Sequence, residues 1–110
     1  MRLILGGIYQ GREEYAKSKY GEDITIYRGL HSDVSDLISE NTDVEAVIDT
    51  IFEKVGKYDV IIAEETFSGL MPIKKDEKML CEVYGKILEK IAIEAESVER
   101  VVCSLGMDLK

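Results

Sequence analysis

Four short apolar runs, separated by stretches of helical spacing, constrain this chain more than anything else in it. They are Leu3-Ile4-Leu5, then Ile24, Ile26 and Tyr27, then Val60-Ile61-Ile62-Ala63, and last Val101-Val102-Cys103. Each has strand length and little polar alternation, which is how strands buried on both faces read. Helical patterns fill the gaps. Arg12 to Lys19 follows the first run and its Gly6-Gly7 turn. Val44, Val47, Ile48, Ile51, Phe52 and Val55 recur at helical spacing, with Gly56 as the stop. Thr42, three residues before Glu45, reads as a capping box for that helix. Leu80, Tyr84, Ile87, Leu88, Ile91 and Ala95 mark a long last helix.

The expected order is therefore strand–helix–strand–helix–strand–helix–strand. It predicts an α/β fold in three layers, with a small, mostly parallel sheet covered on both faces. At 110 residues the chain is one domain, residues 1–110, with a single proline and no linker-like stretch. Ligands on such sheets bind outside the carboxyl ends of the strands. The candidate loops are then residues 6–12, 28–33, 64–72 and 104–110.

Charge narrows the function. Acids outnumber bases 22 to 14, a net charge of −8, which repels nucleic acid and anionic membrane. Lys74, Lys75 and Lys78 are the one basic cluster and read as a solvated helix start. No apolar run reaches the ~20 residues of a membrane span, and Met1–Ile8 is too short for a signal peptide. These features point to the cytoplasm. Cys81 and Cys103 stand far apart and form neither a disulfide framework nor a zinc site.

The first loop carries the most chemical information. Gly6-Gly7-Ile8-Tyr9-Gln10-Gly11-Arg12-Glu13 has the spacing of a phosphate-binding loop, G-x-x-x-x-G-K-[ST], between a strand and a helix. Such glycines let backbone N–H groups wrap an anion at a helix N-terminus. The two defining side chains differ, however. Arg12 replaces the lysine, keeping the charge but not the compact ammonium. Glu13 replaces the magnesium-binding hydroxyl. A carboxylate about 4 Å from a phosphate costs roughly 1–4 kcal/mol, depending on screening. Glu13 and Glu14 also complement the helix dipole and can stand in for a phosphate. A strand–turn–helix corner without a ligand explains the same residues, and the side chains tip the balance toward it.

Other candidates are less specific. His31, the one histidine, falls in the loop after the second strand with no identifiable partner. Glu64 and Glu65 end the third strand, where paired acids can hold magnesium, act as a base, or sit solvated. Tyr9, Tyr15 and Tyr20 read as packing rather than a stacking platform.

Taken together, these stretches resemble the adenosylcobinamide kinase / adenosylcobinamide-phosphate guanylyltransferase family of cobalamin biosynthesis. That family reads GGxxSGKSxxAE at its N-terminus, matched by Gly6 to Ala16. Its strand–SNEVGxGIVP segment is similar to Ile62 to Pro72, and its final GxPxxLK to Gly106 to Lys110. Its VDCLTxWLxNLL resembles Ile24 to Ile38. The resemblance spans nearly the whole chain. It implies a P-loop-NTPase-like fold, GTP or ATP with magnesium as cofactor, a nucleotide or cobinamide ligand, and a trimer. On this resemblance Gly6, Gly7 and Gly11 shape the nucleotide loop, Arg12 neutralises phosphate, and Glu65 is the catalytic candidate that positions metal or substrate.

The departures matter equally. The histidine segment that carries the guanylyl group has no counterpart, and His31 aligns with a threonine. The Walker-type aspartate aligns with Arg28, so Glu13 and Arg28 have exchanged charges and can pair across the site. The expected function is a cobinamide kinase/guanylyltransferase-like protein with a degenerate nucleotide-binding loop and impaired catalysis. The alternatives are an active minimal GTP- or ATP-binding cobinamide kinase, or a small α/β binding module with an unrelated ligand and no nucleotide.

Overall fold

A computed structural model describes residues 1–7, 11–40, 43–64 and 75–110, with side chains from 79 onward in the last segment. The elements run β1 (Arg2–Leu5), α1 (Arg12–Tyr20), β2 (Ile26–Tyr27), α2 (Leu30–Glu40), α3 (Val44–Val55), β3 (Val60–Ala63), α4 (Lys75–Glu94), β4 (Ser97–Val102) and β5 (Leu105–Asp108). The sheet order is β2-β3-β1-β4-β5. β1 lies parallel to β3 and to β4, and β2 lies parallel to β3. β5 returns antiparallel to β4.

Both faces of β1 and β3 are buried, which is why their sequences show little polar alternation. Leu3, Ile61, Ala63 and Val98 join the core shared with α2, α3 and α4. Ile4, Val60, Ile62 and Val101 point the other way and pack with Ala16 of α1. The sheet is thus sandwiched between three helices and one, the three-layer α/β arrangement expected.

Two expected stretches differ. Residues 28–33 are only partly loop, because α2 begins at Leu30. Leu30, Val34, Leu37 and Ile38 have helical spacing and pack into the larger core. Gly29 adopts φ +80° just before the helix and accepts the first-turn hydrogen bond from Asp33 N–H at 3.0 Å. Residues 104–110 hold β5 rather than a loop. Its turn, Cys103-Ser104, has φ of 51° and 63°, the left-handed pair that a tight hairpin demands.

Caps agree with the local chemistry. Thr42 lies outside the described residues; Asp43 is the N-cap of α3, its side chain accepting Glu45 N–H at 3.1 Å. Gly56 closes the helix with its N–H on Phe52 O. The carbonyls of Ala92, Ile93 and Ala95 at the end of α4 all accept from Lys110 Nζ, at 2.7–3.0 Å. A cation at that end also suits the helix dipole.

Candidate functional site

The chain leaves β1 toward β2 and leaves β3 toward β4, so the connections diverge between β1 and β3. A crevice opens where connections diverge in this way. Here a cleft of about 270 Å³ sits at the carboxyl ends of the parallel strands. Its walls are Gly11 to Glu14 at the start of α1, Arg28 to His31 after β2, and Ile62 to Glu64 at the end of β3.

Glycine is required at two points beside it. Gly6 is buried under β4, and a Cβ there would meet Val101 O at 2.7 Å. Gly11 has φ +79°, and a Cβ there would meet Ser104 Oγ at 2.3 Å. The turn of the β4–β5 hairpin thus braces the start of α1. Gly7 is exposed.

The charged side chains are engaged with one another. Arg12 turns back and donates from Nη1 to Gly6 O at 3.3 Å. Glu13 and Arg28 form a two-pronged ion pair, with Nε donating to Oε2 at 3.1 Å and Nη2 to Oε1. Lys17 approaches Glu13 at 3.6 Å from one turn on. The hydrogen bond from Arg28 holds the Glu13 carboxyl below the usual range, against the opposing effect of burial. The exchanged charges therefore do pair across the site. Glu13 does not cap its own helix: Gly11 is the N-cap, and no side-chain hydrogen bond closes it.

Sequence reasoning missed a buried tyrosine that touches two of the cleft's lining residues, Glu64 and His31. Tyr84 of α4 is buried and donates its hydroxyl to Glu64 O at 2.6 Å. Burial pushes its phenol well up. The His31 ring meets Tyr84 edge-on at 5.5 Å, from the first turn of α2 rather than from a loop. Tyr84 carries a helical-period signal, which marks the core but not a hydroxyl reaching the third strand. Glu65 lies outside the described residues. The structure therefore brings Gly11, Arg12, Glu13, Arg28, His31 and Glu64 together and does not describe Glu65. Among the described residues no cluster of three metal-ligating side chains forms, and no described helix is long and apolar enough to cross a membrane.

A second charged cluster sits under the other end of α1. Glu99 of β4 is 1% exposed. Its Oε1 accepts from Lys19 Nζ at 2.7 Å and from the Tyr20 hydroxyl. Burial raises this carboxyl, but Lys19, Tyr20 and the neighbouring Tyr15 outweigh it and hold it low. Neither a scan against protein-family models nor a search of curated proteins finds a match to this chain.

Proposed function

We propose that this protein is a cobalamin-assembly cobinamide kinase/guanylyltransferase-like protein whose nucleotide-binding loop no longer serves phosphoryl transfer. One observation carries the reading: both arginines of the cleft are engaged internally. Arg12 is turned onto the loop's own carbonyl. Arg28 is neutralised by Glu13, which stands where a magnesium-binding hydroxyl would be needed. A bound triphosphate must displace Glu13 or lie against it. Roughly 1–4 kcal/mol of repulsion is a loss of about fivefold to nearly a thousandfold in affinity.

Calorimetric titration with magnesium–GTP and magnesium–ATP is expected to give no heat at millimolar nucleotide. The native chain is expected to transfer no phosphate to adenosylcobinamide. Phosphorylation of adenosylcobinamide by the native protein would overturn the reading.

One feature favours a second reading, a cleft that still takes an anion. Gly11, the N-cap of α1, has no side chain to offer the first N–H groups, and among the described residues those groups face the cleft's lining rather than a side-chain cap. Titration of the native chain with inorganic phosphate separates the two, since only the second reading expects binding. Under either, Glu13→Ser removes the repulsion and should bind nucleotide about tenfold or more tightly than the native chain.

A further inference from the structure

We propose that the β4–β5 hairpin is a strap that fixes α1 along its own axis and so keeps Glu13 in reach of Arg28 across the cleft. The inference goes beyond the proposed function and does not rest on it. It concerns what holds the charges of the cleft together, whatever the cleft takes.

Packing on the sheet leaves one freedom of α1 open. Ala16, its buried residue, seats the helix against Ile4 and Ile62. A lone methyl group sets how closely the helix lies on the sheet. It offers no ridge to lodge in a groove, so it does not set where the helix stands along its axis. The start of α1 supplies Gly11 to Glu14 of the cleft wall. Whatever fixes that axis therefore fixes the cleft.

Three contacts at matched spacing fix it. Gly11, Tyr15 and Lys19 stand four residues apart, on one side of the helix. Ser104, Gly106 and Asp108 stand two residues apart, on one face of the hairpin. Four helical residues advance about 6 Å and two strand residues about 6.8 Å, so the two rows stay in step. At the cleft end Ser104 Oγ fills the place of a side chain on Gly11. In the middle the roles reverse. Tyr15 fills the place of a side chain on Gly106, where a Cβ would overlap the phenol's Oη and Cζ. Gly106 is not among the positive-φ glycines, so the tyrosine alone accounts for it. At the far end Lys19 Nζ lies 3.8 Å from Asp108 Oδ1, 2.7 Å from Glu99 Oε1 and 3.3 Å from Tyr15 Oη. Glu99 and Asp108 are cross-strand partners, so Lys19 clamps both strands of the hairpin. Two reciprocal glycine slots, one on the helix and one on the strand, block a slide in either direction.

The Glu13–Arg28 pair is the part of the cleft that senses a slide. A two-pronged contact needs both carboxylate oxygens level with the guanidinium fork. Its partners hang from separate elements, Glu13 from α1 and Arg28 from the end of β2. β2 pairs with β3 and not with the hairpin. A slide of α1 thus moves one partner and leaves the other behind.

Side-chain NMR of the native chain and of Gly106→Ala tests the strap. The added methyl expels Tyr15 from its slot or pushes α1 along its axis, and either undoes the middle contact. The Glu13 carboxyl, which the hydrogen bond from Arg28 holds low, should titrate higher in the variant, toward the ordinary glutamate value. The Arg28 Nε–H should exchange faster with water. Asp33 of α2 is the control. Burial raises its carboxyl, and hydrogen bonds from Tyr27 and Lys54 outweigh burial and hold it low. Those partners come from β2 and α3, so its titration should not move. Should Gly106→Ala fail to fold, Tyr15→Ala empties the slot without crowding it. It should shift Glu13 in the same direction and leave Asp33 where it is. An unchanged Glu13 titration in a folded variant would overturn the proposal. So would Glu13 and Asp33 shifting together, since the substitution would then be loosening the whole chain.

Discussion

The two ends of helix α1 hold carboxylates in opposite circumstances. At its N-terminus Glu13 meets Arg28 in an open cleft, where both side chains remain substantially exposed. At its C-terminus Lys19 and Tyr20 converge on Glu99, which is sealed beneath the sheet edge. An exposed pair contributes little to stability, since water and salt screen it. A buried carboxylate is costly to leave short of donors. The comparison teaches that one end of the helix holds the fold while the other sets the charge of the cleft.

The largest effect belongs to the buried end. Both observed hydrogen bonds to Glu99 end on Oε1, and Oε2 has no hydrogen-bond partner among the described residues. Tyr20→Phe removes one of the two donors on Oε1 of this buried carboxylate. Chemical denaturation should show a loss of about 1–3 kcal/mol. A loss below the error of the measurement would break the comparison, because Glu99 would then behave like a surface acid.

Acid sharpens the same contrast. Glu99 is held below its ordinary value, so the folded state binds its proton less readily than the unfolded chain does. Its contribution is present above the unfolded carboxylate value, near pH 4.3, and is lost as pH falls through the lower folded value. Glu13 is shifted the same way but stands in solvent. Glu99→Gln should flatten the acid limb of a stability–pH curve, whereas Glu13→Gln should leave it nearly unchanged. Equal effects would remove the distinction between the two ends.

Much of this architecture is legible in the sequence, and the exceptions have physical causes. β1 and β3 announce themselves because two-sided burial leaves no polar alternation in Leu3–Leu5 or Val60–Ala63, whereas β4, Ser97–Val102, is read only from Val101 and Val102 because Glu99 and Arg100 interrupt it and Cys103 belongs to the turn. The hairpin does not announce itself, because its turn is Cys103-Ser104 rather than the Asn-Gly pair that tolerates positive φ. Helix α2 is hidden for another reason: only Leu30, Val34, Leu37 and Ile38 among eleven residues mark its buried side. At the site, glycine spacing locates the bend, and the resemblance pairs Glu13 with Arg28. Nothing local to Glu99 foretells that a glutamate beside three valines folds inward, since its donors come from a helix 80 residues earlier in the chain.

The hairpin turn yields an intermediate effect. Two non-glycine residues in the left-handed region carry a penalty of about 1 kcal/mol each. Replacing Cys103 by Asn and Ser104 by Gly should stabilise the chain by about 1 kcal/mol, less whatever the Ser104 contact with Gly11 contributes. Thermal melts of the single and double variants measure both quantities. A net loss would show that the turn holds its strain in order to brace the start of α1.

The smallest effect on stability is expected where the functional reading is concentrated. A double-mutant cycle on Glu13→Ala and Arg28→Ala should give a coupling of only about 0.2–1 kcal/mol, shrinking as salt is added. Either single variant should melt close to the native chain. A pair that weak cannot be holding α1 in place; the packing of Ala16 against Ile4 and Ile62 does that. What the pair controls is the cleft, where removing Glu13 frees one guanidinium and removing Arg28 leaves one carboxylate. A coupling several times larger would mean that the ion pair is structural, and it would then lend no support to the proposed function.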